Sequence, residues 1–121
     1  MIKVNILYPN KAGGRFDHNY YIHTHMPTAI KKLGPALKGV SVERGISGVT
    51  PGSEPTYIAG CQYTFDTIEA FLEAFMPHAT ELQGDIANYT NIDPIIQFSE
   101  IGISQQSSET ASMHELRNQR T

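Results

Sequence analysis

Val40-Ser41-Val42-Glu43-Arg44-Gly45-Ile46, then a loop from Ser47 to Pro55, then Tyr57-Ile58-Ala59-Gly60-Cys61-Gln62-Tyr63-Thr64-Phe65: this stretch decides the fold. In the first run Val40, Val42, Arg44 and Ile46 alternate with Ser41, Glu43 and Gly45, the period of two that marks a strand. The second run is rich in β-branched and aromatic residues, again a strand signal. The loop between them holds Gly48, Pro51, Gly52 and Pro55 and carries no helical pattern. Two strands therefore follow one another without a helix between, and the fold depends on what flanks the pair.

Toward the N-terminus, Ile2 to Tyr8 sets Ile2, Val4, Ile6 and Tyr8 on one face with Lys3 and Asn5 opposite, a further strand closed by the loop Pro9 to Gly14. Asp17 is placed to cap a helix that runs to about Leu33, where Gly34-Pro35 stops it. Its expected inward stripe is Ile22, Met26, Ala29, Ile30 and Leu33. Toward the C-terminus, Asp66 is placed to cap a second helix, with Glu69 three residues on as in a capping box. Ile68, Leu72 and Phe75 are its expected inward residues, with Phe71 beside them. Pro77 breaks or kinks it, and a short helical turn is predicted through Leu82 before Gly84. Ile95 to Ile101 forms the last strand. The order β-α-β-β-α-β predicts an α+β, ferredoxin-like domain over residues 1–102, with a four-stranded antiparallel sheet and two helices on one face. Residues 103–121 are polar, have almost nothing to bury and read as a mobile tail, with a short helix around Met113 to Asn118.

Two helices on one face leave the other face of the sheet uncovered. Tyr57, Ala59, Cys61, Tyr63 and Phe65 make one face of the third strand apolar, while Ile58, Gly60, Gln62 and Thr64 make a smaller, more polar one. Pairing with the sheet of a second copy is the expected consequence, so a homodimer is predicted.

Composition narrows the function. The chain has 121 residues, one domain's worth, with 40% hydrophobic and 17% charged residues. Its net charge of -3 and nine scattered Lys and Arg supply no phosphate-binding field, which argues against nucleic acid. No apolar run nears the roughly 20 residues of a membrane span. The strand-like N-terminus lacks the pattern of a signal peptide. Cys61 is the lone cysteine and can form no internal disulfide. A cytoplasmic protein is expected.

Chemistry concentrates in the first helix, Asp17-His18-Asn19-Tyr20-Tyr21-Ile22-His23-Thr24-His25-Met26-Pro27. Tyr21 and His25, four residues apart, lie along one margin of the apolar stripe, as a cleft wall would. His25 is the natural proton carrier, because an imidazole titrates near neutrality. Tyr21 is placed to orient it or to donate to a substrate oxygen. Pro27 frees the carbonyl one turn earlier, at His23. A partly buried histidine bonded to backbone is the plainer alternative. No metal is expected: His23 and His25 point about 200° apart on a helix, and His18 lies two turns, roughly 10 Å, from His25. His78, at the break in the second helix, is a candidate second polar wall across from His25. Tyr89 is a candidate pocket residue or a packed loop aromatic, and Tyr8 a candidate for the same cleft. Cys61 reads as a small buried hydrophobe and His114 as incidental. Gly13-Gly14 is not a phosphate loop, and no serine-hydrolase motif is present. Nothing calls for a cofactor.

Taken together, Ile6-Leu7-Tyr8-Pro9-Asn10, then Phe16-Asp17 and Tyr20-Tyr21-x-x-x-His25-Met26-Pro27, then Leu33-Gly34-Pro35-Ala36-Leu37, Pro77-His78 and Asn88-Tyr89-Thr90-Asn91-Ile92 resemble the EthD family over about residues 1–102. The resemblance implies a dimeric α/β barrel in which two ferredoxin-like sheets meet face to face. It also implies the founding member's association with degradation of ethyl tert-butyl ether. Tyr21 and His25 map onto the Tyr-x-x-x-His-x-Pro element and His78 onto a second recurring motif, whereas His18 and His23 fall outside the pattern. Related families on the fold include cofactor-free monooxygenases, muconolactone isomerases and polyketide-processing enzymes, but fold alone does not carry a reaction. The leading expectation is a metal-free enzyme or accessory acting on a small, apolar, oxygen-bearing molecule through His25. The alternatives are a non-catalytic module binding a hydrophobic metabolite, and a structural strut formed by Tyr21 and His25.

Overall fold

The computed structural model describes residues 1–105. Four strands form one antiparallel sheet in the order β2-β3-β1-β4: β1 Ile2–Pro9, β2 Gly39–Arg44, β3 Tyr57–Phe65 and β4 Ile95–Glu100. The central pair, β1 and β3, brings Val4 opposite Tyr63 and Ile6 opposite Cys61. These side chains share the face that the helices cover, and with Phe65, Tyr8, Met26 and Leu33 they make the core. The strongly apolar face of β3 therefore points inward, except at Tyr57, which stays exposed. The uncovered face holds the alternate set, Lys3, Asn5, Ser41, Gln62, Gln97 and Ser99, interrupted by Leu7 and, across from it, Ile95. It is more polar than apolar. Ile46 lies beyond the end of β2 and is exposed.

The first helix, residues 18–33, starts as expected: the Asp17 carboxylate accepts from the Tyr20 N–H at 3.0 Å. Its middle departs from the sequence pattern. Tyr21–His25 is a π-helical turn between the α-helical segments His18–Tyr20 and Met26–Leu33. The Met26 N–H there bonds the Tyr21 carbonyl, five residues back rather than four. One extra residue in the turn rotates everything N-terminal to it. Met26, Ala29 and Leu33 are buried as predicted, but Tyr21 takes the inward place one turn before Met26 and Ile22 turns out to 42% exposure.

The helix ends at Gly34, whose φ of 68° and ψ of -154° fall where only glycine is comfortable. Gly34→Ala is expected to cost on the order of 1–3 kcal/mol. Thermal denaturation should register this as a drop of several degrees, and an unchanged melting temperature would remove Gly34 as the helix stop.

In the second helix, Ile68–Phe75, the cap is Thr67 and not Asp66: the Thr67 hydroxyl accepts from the Ala70 N–H at 3.0 Å. The inward face also differs. Phe71 is buried and lies against Phe65 and Phe98 at ring distances of 5.3 and 5.7 Å, with Phe75 stacked beside it at 5.3 Å. Ile68 and Leu72, predicted inward, stay exposed. Two aromatic rings four apart cover more apolar sheet than two aliphatic chains, and they set the rotation of this short helix. A 3-10 turn at Met76–His78 follows, containing Pro77, then the short helix Ala79–Gly84 and a 3-10 turn at Ile86–Asn88. The predicted helix around Met113 to Asn118 lies outside the described residues.

Candidate active site

Sheet and helices do not close on each other completely. A cavity of about 250 Å³ remains between Val4, Ile6 and Tyr8 of β1, Tyr63 of β3, the first helix at His25 and Ala29, and the second helix at Phe71 and Phe75. Leu72, Met76, Ile96 and Phe98 form an exposed apolar rim. The wall contains no Lys, Arg, Asp or Glu. Its polar groups are His25, three tyrosines (Tyr8, Tyr63 and Tyr89) and Gln83.

The π-helical turn brings His25 into this wall, at 7% exposure. Its Nδ1 lies 2.9 Å from Oδ2 of Asp85. The other oxygen of that carboxylate accepts from the Tyr20 hydroxyl at 2.7 Å and from the Asn88 amide at 2.8 Å. Burial pushes the Asp85 carboxyl up, but hydrogen bonds from Asn88, Tyr20 and His25 outweigh it and hold the group below the usual carboxylate value. Asp85 is therefore ionised and can only accept, so Nδ1 of His25 carries a hydrogen, and in the neutral imidazole Nε2 is the acceptor. Among the described residues Nε2 has no hydrogen-bond partner, and it is not a sealed, unsatisfied atom. An imidazole held by a carboxylate on one nitrogen and free on the other is poised to take a proton.

Tyr89 packs over His25, with ring centres 4.7 Å apart, and is fully buried. It is held there by a clasp between two loops. The Asp17 N–H donates to the Tyr89 carbonyl at 2.7 Å, the Thr90 hydroxyl to the Arg15 carbonyl at 2.6 Å, and the Arg15 N–H to the Asn91 side-chain oxygen at 2.7 Å. Phe16 and Thr90 pair as an isolated β-bridge. Residues 88–92 are thus chiefly a fastening that places the Tyr89 ring. The Tyr89 hydroxyl lies 2.6 Å from that of Tyr8.

The structure brings Tyr8, Tyr21, His25 and Tyr89 together. Tyr21 stacks on His25 with ring centres 5.9 Å apart but makes no hydrogen bond to it and does not border the cavity. Asp85, not Tyr21, orients the imidazole. Asp85 and Tyr20 had not been singled out as site residues: Asp85 is one acidic residue in an irregular stretch 60 positions from its partner, and no local pattern marks it. Tyr20 sits beside Tyr21 in the first helix, and nothing in its local pattern points to Asp85, 65 positions further on. His78 is half-buried in the 3-10 turn and is not part of the cavity wall, so it forms no second wall across from His25. His23 is exposed, and His18 rests on Phe16 at 4.8 Å. Cys61 is buried in the core and its thiol is pushed up to about 12 by burial, the state of an inert side chain. Among the described residues no three His, Cys, Asp or Glu side chains gather as metal ligands, and no helix is long and apolar enough to cross a membrane. His114 lies outside the described residues.

A βαββαβ sheet with its helices on one face and a cavity between the layers defines a ferredoxin-like α+β protein. Residues 15–93 match the EthD domain, and the chain belongs to the EthD family. It is similar to the crystal structure of an EthD-like protein from Ralstonia eutropha JMP134, with 43% identity and a TM-score of 0.82 over 87% of this chain and 95% of that one. An ethyl tert-butyl ether D (EthD) family protein from Bacillus halodurans C-125, at 23% identity and a TM-score of 0.63 over 84% and 98% of the two chains, shares the fold. No curated protein matches the chain.

Proposed function

We propose that this EthD protein is an acid–base enzyme for a small, apolar, oxygen-bearing compound, with His25 carrying the proton and no metal or cofactor in the step. The observation that carries the reading is the Asp85–His25 pair: a carboxylate fixes Nδ1 of an imidazole that lines a mainly apolar cavity. Tyr8 and Tyr89 line the substrate's place, and Tyr21 backs the imidazole by stacking. A thermal-shift panel of hydroxylated aromatics, quinones, lactones and branched ethers on wild type and His25→Ala tests the reading. Saturation at 100 times the dissociation constant should stabilise the wild type by about 2.7 kcal/mol, with a smaller shift in the variant. If no compound stabilises the wild type and His25→Ala merely melts early, His25 is structural.

We propose further that the protein is a cytoplasmic homodimer. Support for pairing comes from the uncovered sheet face, where Leu7 and Ile95 adjoin, and from the apolar rim at Leu72, Met76, Ile96 and Phe98, which a lone chain leaves in water. Sedimentation at micromolar concentration is expected to give twice the chain mass. A monomer there removes the dimer from the proposal but not the cavity.

A further inference from the structure

The Tyr8–Tyr89 pair has one hydrogen too many. Each hydroxyl brings one O–H, and the contact between them uses only one of the two hydrogens. Neither oxygen has another hydrogen-bond partner among the described residues, and neither side chain is more than 2% exposed. A buried donor without an acceptor is unfavourable and is normally satisfied. Both phenols are raised, chiefly by burial, so both stay protonated and remain donors. Tyr63, the third tyrosine of the wall, directs its hydroxyl at the Met26 sulfur at 3.9 Å.

The charge of the wall adds a second constraint. The wall contains no Lys or Arg, so a carboxylate or phosphate drawn into it would meet no counter-charge beyond the histidine. The Asp85 carboxylate behind His25 makes the surroundings less hospitable still to an anion. An uncharged molecule with one strong acceptor oxygen fits both constraints, since a ketone oxygen accepts and carries no charge.

We infer that the cavity takes an uncharged apolar carbonyl compound, its carbonyl oxygen accepting the surplus hydrogen of the Tyr8–Tyr89 hydroxyl pair while the neighbouring C–H or O–H faces Nε2 of His25. This rests on the proposed function and sharpens it, because it names the functional group that the cavity selects. Either hydroxyl can hold the spare hydrogen, since each rotates freely between donating to its partner and donating to the ligand. Losing one tyrosine oxygen therefore leaves a donor in place, and losing both removes it.

Three bicyclic probes of matched shape test the inference: 2-tetralone, the hydrocarbon tetralin, and tetralin-2-carboxylate. Their dissociation constants are measured by protein-observed NMR titration on wild type, Tyr8→Phe, Tyr89→Phe and the double variant. Wild type should bind the ketone about three- to tenfold more tightly than the hydrocarbon, the worth of one net hydrogen bond. The carboxylate should bind at least about tenfold more weakly than the ketone. Each single variant keeps a preference for the ketone, and the double variant loses it. The double variant should also melt no earlier than the single ones, because each single change strands one hydroxyl while the double change removes both partners. Equal binding of ketone and hydrocarbon by wild type, a measurement that needs no variant to fold, overturns the inference and leaves the cavity as a binding site. So does a ketone preference that survives in the double variant. If none of the three binds wild type, the inference falls, while the proposed function stands or falls on the thermal-shift panel.

Discussion

His25→Ala is expected to slow proton exchange on a bound substrate by about 10²–10⁴-fold, the usual worth of a positioned general base. The measurement is incorporation of deuterium next to the carbonyl of 2-tetralone in D2O, followed by proton NMR with a catalytic amount of protein. Nε2 takes the proton from carbon, the C–H electron pair becomes the double bond of the enolate, and the carbonyl electrons move onto oxygen. A deuteron from the exchanged imidazole then returns to carbon. Asp85 stays ionised throughout and holds the ring by Nδ1, so the forming imidazolium is stabilised where it arises. Alanine also empties space beneath Tyr89, whose ring centre lies 4.7 Å from the imidazole, and some stability will go with it. His25→Gln is the control for that loss. It keeps most of the volume and an N–H for Asp85 but cannot accept a proton. Exchange lost in both variants with a wild-type melting curve in His25→Gln would fix the role as chemical. If wild-type protein accelerates exchange no more than buffer does, His25 is not acting as a base on this probe class. Equal rates in wild type and His25→Gln would mean that the imidazole is packing and that another group moves the proton.

The residues that made the fold legible are those whose neighbours in sequence are also neighbours in space. Val4, Ile6 and Tyr8 alternate along β1 and line one face of the sheet; Asp17 caps the turn that follows it; Gly34 stops the helix with a backbone that only glycine holds easily. What failed was local as well, but depended on tertiary context. The π-helical turn at Tyr21–His25 adds one residue to a helical period, so a stripe projected at constant pitch placed Ile22 where Tyr21 belongs. In the second helix the stacked pair Phe71 and Phe75 displaced Ile68 and Leu72 from the inward face, and Thr67 took the cap one residue later than Asp66. The site was half visible. His25 stood out through its position on the helix margin, and Tyr8, Tyr21 and Tyr89 gather around it. Asp85 could not be found, because its meaning lies wholly in a contact across 60 residues of chain. His78 was marked by a helix break and by the Pro77-His78 motif, and neither fixes what its side chain meets.

Asp85→Asn is the second large effect and separates orientation from chemistry. The asparagine side chain nearly matches aspartate in shape and can still pair with Tyr20 and Asn88, so the fold should survive. Its amide can present N–H toward His25, however, which favours the tautomer with hydrogen on Nε2 and leaves that nitrogen unable to accept. Loss of the carboxylate also removes the charge that stabilises the imidazolium. Where a buried aspartate holds a catalytic histidine in this way, such a change costs up to roughly 10⁴-fold. The same loss is expected here in the exchange assay, with binding of 2-tetralone changed by less than about threefold. Stability as a function of pH gives an independent reading. The folded Asp85 carboxyl is held below its unfolded value of 3.8, so its contribution to stability is present above that value and is lost as pH falls through the lower folded value. Wild type should therefore lose part of its advantage over Asp85→Asn between about pH 5 and pH 3, as Asp85 and its three donors come apart. If Asp85→Asn exchanges deuterium at the wild-type rate, the carboxylate does not set the tautomer, and the base function of His25 must come from some other contact. If exchange falls but the pH dependence of stability is unchanged from wild type, Asp85 acts on the proton without anchoring the fold. In that case the Tyr20 and Asn88 hydrogen bonds serve to aim the carboxylate rather than to stabilise the native state.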